Sequence, residues 1–377
     1  MWISLPDSVV RSDFADVAGV ALREDVVMLS KRSIRFSWQT ALVALVLGGL
    51  LVYMILVPAA EAILDAFKER PTSYTIEDLT LLEQLRIRSS KLAIFGIFTY
   101  VGACWGSFLN VAAYGVPRRE KIALRSSACP KCGNLIRRID NLPIISYLAL
   151  GGACRYCKAK IPVRYLIVEI VGAVIFGSMF LYELVTGAAN VPGFRHYSYT
   201  GILWIILYTK WPVVGIYFYH AALMCVLLLL ALMDWDRRRY PAWFGWVLLA
   251  VFAVLPIAAP ALQPFTSFLS SGIPDVALRV LTVALGGGLG LAVGWTVRRY
   301  AKLGKRGGAI PLAMTLLGVA LGWKALVTIA ALWGLLLCIG YALHRQRRWE
   351  RSFEPTAALL AAALLHHPFW KILAGFW

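Results

Sequence analysis

Four cysteines form the clearest chemical pattern in the sequence. Cys129-Pro-Lys-Cys132 and Cys154-Arg-Tyr-Cys157 are two CxxC pairs separated by 21 residues. Each pair can form a tight turn, and the two turns can meet at one tetrahedrally coordinated Zn²⁺ ion. Because four thiolates close the coordination shell, the predicted zinc site is structural. Redox use of the thiols, or a module that has lost its metal, is the alternative.

Two carboxylates occur at the edges of apolar segments. Asp234 closes a long apolar run and is followed by Trp235-Asp236 and by three consecutive arginines. An Asp-Arg cluster of this kind can simply be the solvated boundary of a helix. Glu169 lies about one helical turn inside another apolar run, where an ionisable side chain is a candidate functional group.

Composition defines the elements that must position these groups. The 377 residues are 60% apolar and 15% charged, and the mean hydropathy is +0.70. Such a chain has too little polar surface for a water-soluble globule, so we expect an all-α polytopic membrane protein whose main solvent is lipid. Nine apolar segments are predicted to span the bilayer: 38–60, 92–113, 165–185, 213–233, 242–262, 276–297, 309–322, 325–343 and 356–376.

The net charge of +18 reflects membrane topology rather than nucleic-acid binding. The basic residues occur in short runs beside apolar segments, which is the positive-inside pattern. This pattern predicts that the N-terminus and the hydrophilic insert 114–164, which carries the cysteines, lie in the cytoplasm. We expect membrane lipid as a partner and no nucleic acid.

An ordered set of motifs resembles the type IV prepilin peptidases, which are bacterial inner-membrane aspartic proteases. The set comprises Gly106-Ser-Phe-Leu-Asn-Val-Ala-Ala-Tyr114 with Asn110, the first CxxC, Asn141-Leu-Pro-Ile-Ile-Ser-Tyr147, the second CxxC, and Arg164-Tyr165 to Glu169. Members of this family cleave prepilin leader peptides, and many then methylate the new N-terminus with S-adenosylmethionine. The resemblance therefore implies pilin-like or pseudopilin substrate peptides, and S-adenosylmethionine as a cofactor.

The resemblance also divides the chain. Residues 1–90 are predicted to be an N-terminal extension with one extra span, followed by a first family span at 91–113 and the four-cysteine module at 114–164. Residues 165–345 form the predicted peptidase-like membrane core, and 346–377 carry a C-terminal span.

Family members use two aspartates, and only one is recognisable here. Leu232-Met233-Asp234 with Tyr240-Pro241 resembles the first aspartate segment, so the resemblance assigns Asp234 to the first catalytic position. The second aspartate belongs to a Gly-x-Gly-Asp motif, and the corresponding residues are Gly307-Gly308-Ala309-Ile310. Ile310 thus stands where the second aspartate should be, and an isoleucine cannot hold or share a proton.

Three functions remain open at this point. The chain can be a prepilin-peptidase-like protein with lost or weakened proteolysis, a working peptidase with a second carboxylate from elsewhere, such as Asp236 or Glu169 or another chain, or a retained N-methyltransferase.

Two further expectations concern single residue types. The histidines show no spacing typical of metal ligands, and His366-His367 before Pro368 is expected to mark the end or a kink of the last span. Gly286, Gly290 and their neighbouring glycines are expected to line a helix that packs closely on another.

Overall fold

The computed structural model describes residues 38–66, 81–120, 127–194, 205, 207–262, 275–300, 307–345 and 354–375. This part of the chain is almost entirely helical, and its β-pairing consists of two isolated bridges, Ala128 with Leu135 and Ala153 with Lys160. The prediction of an all-α architecture is confirmed.

Eleven α-helices follow one another along the described residues. They are α1 (Trp38–Leu51), α2 (Val57–Ala66), α3 (Leu81–Arg118), α4 (Ile145–Ala149), α5 (Val163–Met179), α6 (Trp211–Trp235), α7 (Ala242–Ala258), α8 (Asp275–Tyr300), α9 (Ile310–Arg345), α10 (Pro355–His366) and α11 (Trp370–Ala374). Wider π-helical turns occur at Val52–Leu56 and Phe180–Val185, and tighter 3₁₀ turns at Arg138–Asn141, Pro260–Leu262 and His367–Phe369.

The chain separates into two compact units. The first is Met1–Leu92 with Ala128–Leu135. In its described part, α1 and α2 are joined through the π-helical turn, and the Arg88 guanidinium lies 5.3 Å from the centre of the Tyr53 ring. Arg88 also donates a hydrogen bond of 3.3 Å to the Tyr53 carbonyl oxygen, which fixes the start of α3 against that turn.

The second unit, Ala93–Ser127 with Ile136–Trp377, is a helical bundle built around α6. Most residues of α6 are buried, and the helix is apolar on all sides. A helix of this kind belongs at the centre of a membrane bundle, because every face must meet another apolar surface. Helices α5, α9 and α10 pack against it.

Six of the described helices are long and apolar enough to cross a bilayer: Leu85–Arg118, Val163–Val185, Trp211–Trp235, Val276–Tyr300, Ile310–Leu343 and Pro355–Ala374. Two shorter apolar helices, Ala44–Ala60 and Ala242–Ala258, coincide with predicted spans. Helix α3 begins at Leu81, so it extends the second predicted span, 92–113, upstream by more than two turns.

The predicted spans 309–322 and 325–343 both fall within α9, and the helix is broken at Gly322. Gly322 has φ 80° and ψ 168°, a conformation that only glycine adopts at little cost. The Ala309 N–H bonds the Asp234 carboxylate, which Thr356 of α10 also bonds. The Trp333 ring N–H bonds the carbonyl oxygen of Pro355, the first residue of α10. Ala309 and Trp333 therefore both lie near the start of α10. A straight helix would separate those two residues by about 36 Å. The chain therefore bends sharply at Gly322, and the two predicted segments run as separate arms.

Glycines permit two close helix crossings. A Cβ added at Gly286 would lie 2.0 Å from the Gly318 carbonyl oxygen, and a Cβ added at Gly290 would lie 2.2 Å from the Met314 carbonyl oxygen. The expectation of a closely packed glycine face is confirmed, with α9 as the partner of α8. At the second crossing, between α3 and α5, an added Cβ at Gly106 would lie 2.5 Å from the Val168 carbonyl oxygen.

This packing predicts a strong positional contrast within the glycine run. Replacement of Gly290 by alanine should destabilise the fold by about 1–3 kcal/mol, because the new methyl group meets backbone atoms that cannot move aside. Gly288→Ala is the matched control, since nothing lies within 4 Å of its added Cβ. The control should leave stability unchanged or slightly raised, as alanine favours helix. Thermal unfolding midpoints in detergent micelles measure both; equal midpoints for the two variants would refute the close crossing.

Candidate functional site

Asp234 lies at the C-terminal end of α6 and is almost fully buried, with 3% of its surface exposed. The Ala309 backbone N–H lies 3.2 Å from each of its carboxylate oxygens. The Thr356 hydroxyl donates a further hydrogen bond to Oδ2. Asp234 is thus held by the turn before α9 and by the first turn of α10.

The segment from Gly307 to Ile310, which was expected to correspond to the second aspartate motif, reaches Asp234. An added Cβ at Gly308 would lie 3.5 Å from Asp234 Oδ1, and Ala309 bonds the carboxylate directly. Ile310 follows as a fully buried side chain at the start of α9. Among the described residues, no hydrogen bond or ion pair joins Asp234 to a second carboxyl group.

Arginines surround the open side of Asp234. A cavity of about 560 Å³ is lined by Asp234, Arg237, Arg238, Arg239, Tyr240, Ala242, Arg298 and Gly308. Four arginines and one carboxylate line this cavity, so it favours anionic ligand groups. Burial raises the pKa of the Tyr240 hydroxyl, which therefore stays protonated at neutral pH and can donate a hydrogen bond.

The end of α6 fixes the directions of these arginines. The Arg237 N–H bonds the Asp234 carbonyl oxygen, and the Arg238 N–H bonds that of Met233, which together form a Schellman motif. Arg237 occupies the left-handed position with φ 53°, where glycine is usual. Arg238 turns back towards α3, lies 4.2 Å from the centre of the Tyr114 ring and donates to the Tyr114 carbonyl oxygen.

The other two carboxylates named from the sequence are engaged elsewhere. Asp236 accepts hydrogen bonds from both terminal nitrogens of Arg164, at the start of α5. Glu169 accepts a 2.7 Å bond from the Ile144 N–H and a bond from the Ser107 hydroxyl. Glu169 thereby joins α3, the Asn141–Tyr147 segment and α5, and it holds Ile144 at a strained φ of 63°.

Two asparagines were singled out with these carboxylates. Asn110 is buried within α3, whereas Asn141 is exposed at the end of a 3₁₀ turn.

Each CxxC pair forms the same kind of turn. The Cys129 N–H bonds the Asn134 carbonyl oxygen, and Gly133 follows the pair with φ 69°. Correspondingly, the Cys154 N–H bonds the Ala159 carbonyl oxygen, and Lys158 has φ 55°. The four sulfur atoms of Cys129, Cys132, Cys154 and Cys157 lie within 4.8 Å of one another, so these residues can hold a metal ion.

An ion pair joins Asp140, which lies between the two CxxC turns, to Arg155 of the second turn. Asp140 accepts hydrogen bonds from Arg155 at 2.6 and 2.8 Å. The hydrogen bonds from Arg155 lower the pKa of the Asp140 carboxyl below its usual value. The contact is therefore retained at neutral pH and lost only as the pH falls through that lowered pKa.

Sequence reasoning missed three groups of polar residues. His220 and His367 both contact Glu183, and these three residues can hold a metal ion although their sequence spacing is not typical of metal ligands. The sequence separations of 37 and 184 residues hide this contact, because only the packing of α5, α6 and the last helix creates it. Thr356 and the buried Glu354, both near the start of α10, were also not predicted. The expected break at His366-His367 is confirmed, since α10 ends there.

These features define a polytopic helical membrane protein with a buried carboxylate at the edge of its bundle and a four-cysteine cluster. The Bacterial Peptidase A24 N-terminal domain matches residues 100–183. Over this segment the chain is similar to the prepilin leader peptidase/N-methyltransferases, as the sequence motifs indicated.

Three similar proteins are described as prepilin leader peptidase/N-methyltransferases. The prepilin leader peptidase/N-methyltransferase of Myxococcus xanthus is 42% identical over 84 residues, which are 22% of this chain and 25% of that protein. The Vibrio cholerae protein is 45% identical over 84 residues, with coverage of 20% and 32%, and the Pseudomonas aeruginosa protein 37% identical over 114 residues, with coverage of 24% and 39%. The chain thus matches less than two-fifths of these relatives' length, and Asp234 and Ile310 lie beyond the family-domain match. No solved structure matches this chain significantly.

The geometry at Asp234 predicts that Thr356 stabilises the fold. Thr356→Val keeps the shape of the side chain and removes the donor to a buried carboxylate, which should cost about 1.5–3 kcal/mol. Thr315→Val is the matched control, because the Thr315 hydroxyl bonds only the Pro311 carbonyl of its own helix among the described residues. Thermal unfolding in detergent should show a clearly lower midpoint for Thr356→Val; a drop no larger than that of the control would contradict the contact.

Proposed function

We propose that this chain is a prepilin-peptidase-like protein of a bacterial inner membrane that binds pilin-like segments and has lost or strongly weakened peptide hydrolysis. The observation that carries the proposal is the environment of Asp234. Its carboxylate already accepts bonds from Ala309 and Thr356, and the apolar Ile310 follows where a second aspartate would stand.

Aspartic peptide hydrolysis needs two carboxyl groups that share a water molecule. One is ionised and takes a proton from the water, while the other is protonated and polarises the substrate carbonyl. A single carboxylate cannot perform both roles, and Asp234 has its oxygens turned towards fixed protein donors. We therefore propose that Asp234 has a structural role and faces the substrate, and that it does not form a complete catalytic centre.

The cavity supports a binding role. Its four arginines favour a substrate segment that carries a carboxylate, and the neighbouring apolar helices suit the hydrophobic stretch of a pilin-like peptide. We place this cavity, the cysteine module and the N-terminus on the cytoplasmic side, in line with the distribution of basic residues.

A cleavage assay with a co-expressed prepilin tests the loss of hydrolysis. The native chain should release at least about 10²-fold less product than a relative with both aspartates, because the general acid-base pair is incomplete. Asp234→Asn should give the same low level. Product from the native chain that disappears in Asp234→Asn would show a working peptidase and overturn the proposal.

A second candidate, an active peptidase with an unusual second acid, is favoured by Glu354. This buried glutamate precedes α10 by one residue, and Thr356 of the same turn bonds Asp234. Asp236 and Glu169 are weaker candidates, since Arg164 and Ile144 already bind them. If the native chain does cleave, Glu354→Gln should abolish product as fully as Asp234→Asn, whereas Asp236→Asn should not.

We also propose that the four cysteines bind a structural zinc ion. The two turns have matching backbone geometry, and thiolates are the donors that tetrahedral zinc prefers. Retention of this module is compatible with N-methyl transfer, the second activity in the relatives' names, and labelled S-adenosylmethionine with a processed pilin tests that activity.

The zinc proposal makes a direct prediction. X-ray absorption of the purified protein should show zinc-sulfur distances of about 2.3 Å, and Cys154→Ser should remove or strongly weaken this signal. Cys338→Ser, which changes an exposed cysteine outside the module, is the control and should keep it. Absence of zinc-sulfur scattering in the native chain would refute the assignment.

A further inference from the structure

A second cluster of potential metal ligands lies deep inside the helical bundle. Glu183, His220 and His367 are at most 1% exposed, and one ligand atom from each lies within 4.8 Å of the others. Both histidines contact the same oxygen: His220 Nδ1 and His367 Nε2 bond Glu183 Oε1, the latter at 2.8 Å.

This cluster is distant from Asp234. His220 and Asp234 lie on the same helix, α6, and are separated by 14 residues, or about 21 Å at the rise of an α-helix. The two groups therefore form separate sites, one at the C-terminal end of α6 and the other in the N-terminal half of the same helix.

Local departures from α-helical geometry present the side chains to one another. Glu183 lies in the π-helical turn Phe180–Val185, and His367 begins the 3₁₀ turn between α10 and α11. Such irregular turns re-aim side chains and are frequent at functional sites. The Asn190 amide donates to the His367 carbonyl oxygen, and the Trp370 ring lies 5.6 Å from that of His220.

The buried carboxylate of Glu183 needs compensation. A fully buried carboxylate in a membrane span is costly unless a cation or several donors compensate it. Two neutral imidazoles would bring no charge. A divalent ion supplies it and accepts the lone pairs of both ring nitrogens and of the carboxylate.

The hydrogen bonds within the cluster leave buried polar atoms unused. Glu183 Oε2, His220 Nε2 and His367 Nδ1 have no hydrogen-bond partner among the described residues, nor has either ring nitrogen of the adjacent His366. Buried polar atoms without partners are uncommon in native structures, and each calls for an explanation such as a bound ion or water.

We propose that Glu183, His220 and His367 form an intramembrane binding site for a divalent first-row transition metal ion. Two imidazoles and one carboxylate are a donor set used by zinc and by non-haem iron. The ion ties α5, α6 and the last helical segment together, and three protein ligands leave one position for water or another small ligand. The site does not depend on whether the chain hydrolyses peptides.

The full-length protein in detergent, loaded with zinc alone, tests this proposal. Native protein should bind about two zinc ions per chain and show nitrogen or oxygen neighbours at about 2.0–2.1 Å beside the sulfur neighbours of the cysteine module. Glu183→Gln should lose about one zinc ion and the nitrogen or oxygen shell, and should keep the sulfur shell.

His366→Gln is the matched control, because it changes the buried histidine next to the cluster and leaves all three ligands in place. It should retain both shells. Native protein with sulfur neighbours alone would overturn the proposal. An unchanged nitrogen or oxygen shell in Glu183→Gln, or its loss in His366→Gln, would overturn the assigned ligand set.

Discussion

The burial of the Asp234 carboxylate is the constraint around which the bundle is arranged. A carboxylate that is removed from water must be met by donors. Here those donors come from two remote parts of the chain, the turn before α9 and the first turn of α10. The close α8–α9 crossing and the C-terminal end of α6 bring these segments together. The glycine face of α8 and the position of Asp234 therefore depend on the same helix packing.

The same constraint shapes the turn of Gly307 to Ile310 beside Asp234. The backbone of Gly308 and Ala309 approaches Asp234 closely, and this contact needs only a small residue and a free N–H. Ile310 can then fill buried space at the start of α9, where it contributes apolar packing. The turn before α9 thus meets one buried acid, and among the described residues no second carboxyl group bonds Asp234.

Much of this could be predicted from local sequence patterns. The apolar runs gave the helices, the CxxC spacing predicted four clustered sulfur atoms, and the glycine run predicted a close crossing. The structure brings Gly308 and Ala309 of the Gly307–Ile310 segment into contact with Asp234. Helix boundaries were less predictable, since α3 continues upstream of its apolar segment through charged residues.

Long-range polar contacts could not be predicted. Glu183, His220 and His367 lie in three separate apolar segments with no common spacing, and only the bundle brings them together. Thr356 gave no signal because a threonine near a helix start is common. A deeply buried histidine in an apolar run was the one available indication, since such a side chain needs a partner.

An experimental density map of the bundle edge tests the central claim most directly. The Asp234 carboxylate should lie about 3.2 Å from the Ala309 nitrogen and within hydrogen-bond distance of the Thr356 hydroxyl, and the Ile310 side chain should be buried. A second carboxyl group within hydrogen-bond distance of Asp234, or sharing a water molecule with it, would contradict the account.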